Sequence, residues 1–220
     1  MKNIVILISG GGSNMQALVE CVAQKHWAEQ GIARVAAVIS NRVDAGGLAY
    51  AASKGIETAV LSHRLFDGRV QFDAALMALI DGFKPDLVLL AGFMRILTPA
   101  FTQHYAGKML NIHPSILPSF TGLHTHEAAL AAGVKVHGAT VHGVTAQLDF
   151  GPIVVQSCVA VLPQDTAETL AKRVLATEHF IYPQALTWWV DGRMIWRDGG
   201  IEILNPAGEL PASQTYFAPT

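Results

Sequence analysis

Two cysteines in 220 residues, Cys21 and Cys158, are too few and too far apart for a disulfide framework or a Cys-x-x-Cys metal ribbon. The chain therefore reads as a protein of a reducing cytoplasm. Charge is scarce too: Asp, Glu, Lys and Arg make up 15% of the residues, the net charge is −2, and the 15 Lys and Arg form no dense basic run. Binding a polyanion requires such a run, so nucleic acid is excluded as a partner. No apolar stretch approaches the roughly 20 residues that cross a bilayer, so no membrane association is expected. The run IVILI after Lys2 is cut off by SGGGSN and offers no cleavage pattern, so no secretory leader is expected. What is plentiful is apolar side chain, 51% of the residues, enough for the core of one soluble α/β domain.

Hydrophobic periodicity organises that material. NIVILIS (3–9) is a β-branched run ended by glycines, as a strand buried on both faces would be. A helical pattern over 14–30 leads to a second strand at 34–40. A helix around 45–54, a strand at 57–62, a helix at 69–83 and a strand at 86–92 continue the alternation. This order predicts a Rossmann-like α/β fold: a mostly parallel sheet with helices on both faces and right-handed crossovers. After about residue 105 the rhythm changes. A strand at 108–113, a Pro-rich loop and a short helix at 126–133 precede two strands, 134–144 and 152–161, with no room for a helix between them. Those two should pair antiparallel in the C-terminal half. A long helix follows from Asp165, with Asp165 and Glu168 spaced as a capping box and Pro183 as a point of kinking or division. With no repeat and no linker, residues 1–220 read as one domain. Its halves run over about 1–105 and 106–190, and an irregular tail occupies 205–220.

Three segments carry chemistry. SGGGSN (9–14) joins the first strand to the first helix, where backbone amides at a helix N-terminus suit an anion. Met15 replaces the last glycine of a dinucleotide fingerprint and the Walker lysine is missing, so a phosphate or a plain capped turn are the two readings. In NIHPSILPSF (111–120), Asn111 and His113 lie two apart on an extended strand and project to one side, while Leu110 and Ile112 face away. Pro114 holds His113 in extended geometry and Pro118 restricts the following loop. An amide NH₂ beside an imidazolium suits donation to a carbonyl oxygen that becomes an oxyanion in acyl transfer, and it requires no metal. A carboxylate nearby would favour the charged ring. Asp149, opening a Gly-Pro turn in AQLDFGPIVVQ (146–156), is the candidate, although Asp is also an ordinary turn former.

NIHPSILPSFTG, together with ISGGGSN, AGFMRIL (91–97) and the Asp-x-Gly-Pro segment, resembles the folate-dependent formyltransferase family over residues 3 to about 190. The resemblance implies a formyl transfer from 10-formyltetrahydrofolate to the amine of glycinamide ribonucleotide, a step of purine synthesis. It implies Asn111, His113 and Asp149 as the catalytic trio. Gly12, Ser13 and Asn14 would hold the ribonucleotide phosphate, with Glu178 contacting the rest of that substrate. The folate would lie against Arg69, Met94, Arg95, Ile96, Leu97, Asn111 and the loop Thr145, Ala146, Gln147, Leu148, Asp149. Phe150 stands where the family varies. The expected partners are small molecules alone, the protein being a monomer or homodimer of the cytoplasm.

Other functions compete. Six of the nine histidines lie between 104 and 142, but His124-Thr-His126 is the one close pair and Glu127 completes no H-E-x-x-H. A metal centre is therefore not expected. Formyl transfer to methionyl-tRNA would call for an added RNA-binding region and more positive charge. A formyltetrahydrofolate hydrolase would usually carry an amino-terminal regulatory domain, whereas this chain starts with the first strand. A nucleotide sensor would keep the Gly-rich turn without needing the Asn, His and Asp set.

Overall fold

The computed structural model describes residues 1–198 and 200–204 and the backbone of 215–217. The chain divides into two compact units, Met1–Asn111 and Ile112–Thr220. Unit one contains β1 (Lys2–Ile8), α1 (Ser13–Gln24), β2 (Ala33–Ser40), α2 (Gly46–Ser53), β3 (Glu57–Val60), α3 (Arg69–Gly82), β4 (Leu87–Leu90), α4 (Pro99–His104) and the start of β5 (Met109–His113). Its strands lie in the order β5-β4-β1-β2-β3 and every pairing is parallel. Ile4 to Ile8 of β1 are wholly buried, as the uninterrupted β-branched run requires of a central strand covered on both faces.

The chain runs outward from β1 through β2 to β3, then returns to β1's other side with β4 and β5. Strand order thus reverses between β1 and β4, and at such a switch point the loops after the two strands diverge to leave a crevice. Those loops are residues 9–12 and 91–98. They are tied to each other: Ser9 N–H donates to Gly92 O (3.1 Å) and Met94 N–H to Ser9 Oγ (2.8 Å).

Unit two contains the end of β5, α5 (Thr125–Ala131), β6 (Val136–Gly143), β7 (Ile153–Ala160), α6 (Ala167–Val190), the hairpin β8 (Met194–Arg197) and β9 (Gly200–Ile203), and β10 (Thr215–Phe217). Its sheet order is β10-β7-β6-β5, with β6 and β7 antiparallel as the short connection demands. Gly138 permits the close approach of these two strands, because a Cβ there would overlap Ser157 O.

Several local details differ from the sequence reading. The first helix stops at Gln24, and a turn with His26 at φ 53° follows. The long helix is capped by Thr166 with Thr169, which bond reciprocally, and not by Asp165 with Glu168. Asp165 is engaged elsewhere: Arg173 donates to both its oxygens at 2.7 and 2.8 Å, and this pairing holds its carboxyl far below the usual carboxylate range. Pro183 lies inside one unbroken 24-residue helix. The helix α4 and the hairpin β8–β9 had no expectation. The tail expected to be irregular from 205 lies outside the described residues except at Thr215–Phe217, which pair antiparallel with β7.

Candidate functional site

In unit one the Gly-rich turn is built around Gly12, whose φ of 72° favours glycine and whose added Cβ would meet Met15 Cε at 2.9 Å. Gly10 and Gly11 are exposed, with open space where side chains would be. Gly12 is itself the N-cap of α1 and no side chain caps the helix, which departs from the reading of a Ser or Asn cap. Ser13 is exposed at the first helical position and Asn14 is buried behind it. With no acidic residue in the first turn, the terminus keeps its partial positive charge for an outside anion.

The loop after β4 places Met94 and Ile96 in solvent, 64% and 55% exposed, while Leu97 is buried. Two apolar side chains held out beside a strand terminus form a surface that a flat ligand can cover. Asp73 of α3 anchors the far end of the loop by accepting from Thr98 N–H at 2.6 Å. The Arg95 guanidinium lies 6.0 Å from the Phe72 ring centre. Arg69 opens α3, and it lines with Leu97 a cavity of about 370 Å³ that also includes Val70 and Pro99. Of the folate candidates, Arg69 and Leu97 therefore meet in one cavity.

In unit two, β5 ends at His113, whose side chain is 6% exposed. Its Nε2 lies 3.0 Å from Phe120 O, and since a carbonyl only accepts, Nε2 carries a proton. Its Nδ1 lies 3.5 Å from Asp149 Oδ2, an ion-pair separation too long for a good hydrogen bond. Asn111, half-buried and the last residue of unit one, occupies the position two residues earlier on β5. Asp149 is buried in an otherwise exposed loop, Thr145 to Leu148 being open to solvent. Its φ of 52° turns the chain back, and Oδ2 accepts Gly122 N–H at 2.8 Å. Glu178 sits on α6, also buried.

Three participants escaped the sequence reading. Phe120 O and Gly122 N–H are backbone groups, invisible to any residue-type argument, although the Phe-Thr-Gly after Pro118 marks a turn. His142 was counted only as a possible metal ligand. It is buried on β6, with Nδ1 2.8 Å from Gly143 O and Nε2 4.0 Å from Asp149 Oδ1. Burial pushes its pKa down, opposed by the Gly143 carbonyl and by Asp149.

Two further histidines affect stability. His137 is 1% exposed and packs edge-on against His126 at 5.3 Å and Phe120 at 5.8 Å. Burial, with help from His126 and His113, lowers its pKa to about 4, and burial lowers that of His126 too. Unfolded histidine titrates near 6.5, so between about pH 6.5 and 4 the unfolded chain binds the proton that the native chain refuses. Stability is then full above that window and falls as pH drops through it, by on the order of 2 to 3 kcal/mol from His137. The thermal midpoint should decline between pH 7 and 5, and His137→Phe should flatten that decline. An unchanged slope in the variant would remove His137 from the effect.

The formyl transferase family model matches residues 2–186. The phosphoribosylglycinamide formyltransferase of Escherichia coli K12 is 48% identical over 213 residues, 94% of this chain and 97% of that protein. The structure of phosphoribosylglycinamide formyltransferase from Coxiella burnetii superposes with a TM-score of 0.84 at 46% identity, covering 92% of this chain and 93% of the other. A formyltetrahydrofolate deformylase from Pseudomonas syringae superposes with a TM-score of 0.81 at 27% identity, covering 93% of this chain and 66% of that one.

Proposed function

The chain belongs to the formyl transferase family, and from that premise we propose that it moves the formyl group of 10-formyltetrahydrofolate onto the amine of glycinamide ribonucleotide in purine synthesis. The observation that carries this reading is the buried His113–Asp149 pair at 3.5 Å, in which Asp149 comes from an otherwise exposed loop and His113 from the strand that also holds Asn111. Gly12, Ser13 and Asn14 bind the phosphate through backbone amides and the Ser13 hydroxyl, and Glu178 contacts the remainder of the ribonucleotide. Arg69, Met94 to Leu97 and Thr145 to Asp149 receive the folate. The protein acts on small molecules in the cytoplasm, as a monomer or homodimer.

The neutral amine attacks the formyl carbon and a C–N bond forms, placing negative charge on the formyl oxygen. The Asn111 amide and His113 donate hydrogen bonds to that oxyanion. Because Nε2 of His113 is engaged by Phe120 O, Nδ1–H is the donor that turns to substrate, and Asp149 lies beside it. Asp149, through a water, takes the proton leaving the amine and returns one to the folate nitrogen as the old C–N bond breaks. No covalent enzyme intermediate forms and no metal takes part.

The test is to incubate the protein with 10-formyltetrahydrofolate, with and without glycinamide ribonucleotide, and follow the folate absorbance. Ribonucleotide-dependent loss of formyl is expected. Equal loss in water alone would make the protein a hydrolase, the activity of the Pseudomonas neighbour. Saturable nucleotide binding with no turnover would make it a sensor.

A further inference from the structure

The structure assigns to Trp196, on the hairpin beyond the residues matched to the family model, the role of a positioning residue that clamps the neck of the Asp149 loop. The inference rests on the proposed role of Asp149. The neck is formed where β6 ends and β7 begins. Gly143 N–H donates to Pro152 O at 2.8 Å, and a Cβ at Gly151 would overlap Gly143 O, so the two strands close tightly under residues 144–150. On its other side Gly143 meets the indole: a Cβ there would lie 2.8 Å from both Cη2 and Cζ3 of Trp196, and 3.1 Å from Pro152 Cγ. The six-membered edge of Trp196 thus occupies the space a side chain at 143 would fill.

The hairpin is itself held firmly. Trp196 pairs with Ile201, the buried residues Met194, Ile201 and Ile203 lie on the same pairing register, and Leu204 N–H closes the base onto Arg193 O at 2.9 Å. Gly143 O accepts from His142, the neighbour of the Asp149 carboxylate. The indole touches the neck directly, and the neck reaches the loop through His142, whose Nε2 stands 4.0 Å from Asp149 Oδ1. The indole Nε1–H is buried and finds no hydrogen-bond partner among the described residues. Trp196 therefore acts through the shape of its ring and not through its donor. Phenylalanine should replace it, and a small side chain should not.

Trp196→Ala is expected to lower kcat about tenfold or more, since a displacement of the order of 1 Å at a reacting group costs up to about 10²-fold. Trp196→Phe should retain most of the turnover. Gly143→Ala, which drives a methyl into the ring, should lower kcat similarly, and Gly143→Ala/Trp196→Ala should be no worse than the poorer single variant. Hydrogen exchange of residues 143–151 should quicken in Trp196→Ala and stay near wild type in Trp196→Phe. This readout holds whether or not the protein transfers formyl groups, so failure of the proposed reaction and failure of the clamp are told apart. Where Trp196→Ala does not fold, Trp196→Leu takes its place. The clamp is refuted if exchange over 143–151 is unchanged, if Phe is as damaging as Ala, or if the effects of the two single substitutions multiply in the double variant.

Discussion

His113→Ala is expected to lower turnover by about 10²- to 10³-fold, the usual cost of removing one donor to a developing oxyanion, with ribonucleotide affinity within a few-fold of wild type. The geometry behind this is specific. One ring nitrogen is engaged by Phe120 O at 3.0 Å, so the ring cannot turn freely, and the other is left 3.5 Å from the Asp149 carboxylate, beyond good hydrogen-bond distance. In the proposed mechanism a ring fixed in this way donates to charge as it appears, without reorganising first. Loss of the ring also leaves the Phe120 carbonyl without that donor, at a cost of about 1–3 kcal/mol if no water replaces it. Kinetics should therefore be measured well below the thermal midpoint, alongside nucleotide binding by calorimetry. Asn111→Ala should produce a loss of similar size, and the double variant less than the product of the two, because both donors serve one oxygen. Wild-type turnover in His113→Ala would remove the ring from the chemistry.

Much of this was legible in the chain because the relevant signals were local. The β-branched run of β1, the glycines after it and the helical spacing that follows specify a strand, a turn and a helix with little help from the rest of the molecule. Same-side projection of Asn111 and His113 follows from the two-residue repeat of any strand, and both indeed lie on β5. Asp149 could be suspected from its Gly-Pro turn, but its partnership with His113 depends on how β6 and β7 return the chain, which no local pattern encodes. Phe120 O and Gly122 N–H are backbone groups placed by the loop's path. The cap of α6 illustrates competition between neighbours: the Asp165 carboxylate is taken up by Arg173, the Leu162 N–H and the Thr169 hydroxyl, and Thr166, next to the first helical residue, takes the cap. The hairpin β8–β9 was missed since four-residue strands lie below the length at which alternation is distinctive.

Asp149→Asn should be the more damaging substitution, lowering turnover by about 10³- to 10⁴-fold, because in the proposed mechanism it removes both the proton carrier and the negative charge beside His113. The size of the effect can be separated from damage to the loop. Oδ2 of Asp149 accepts Gly122 N–H at 2.8 Å, and the carbonyl oxygen of an asparagine can accept the same bond, so the turn at φ 52° keeps its anchor. Folate affinity, which the proposal assigns to the exposed residues of the same loop, should then change by only a few-fold. Asp149→Ala deletes that anchor as well, so it should weaken folate binding in addition to turnover. The contrast between the two variants is the informative quantity: equal folate affinities would mean that the Gly122 bond does not hold the loop. Turnover in Asp149→Asn within about tenfold of wild type would mean that water alone can carry the proton, and the carboxylate would be left with an architectural part.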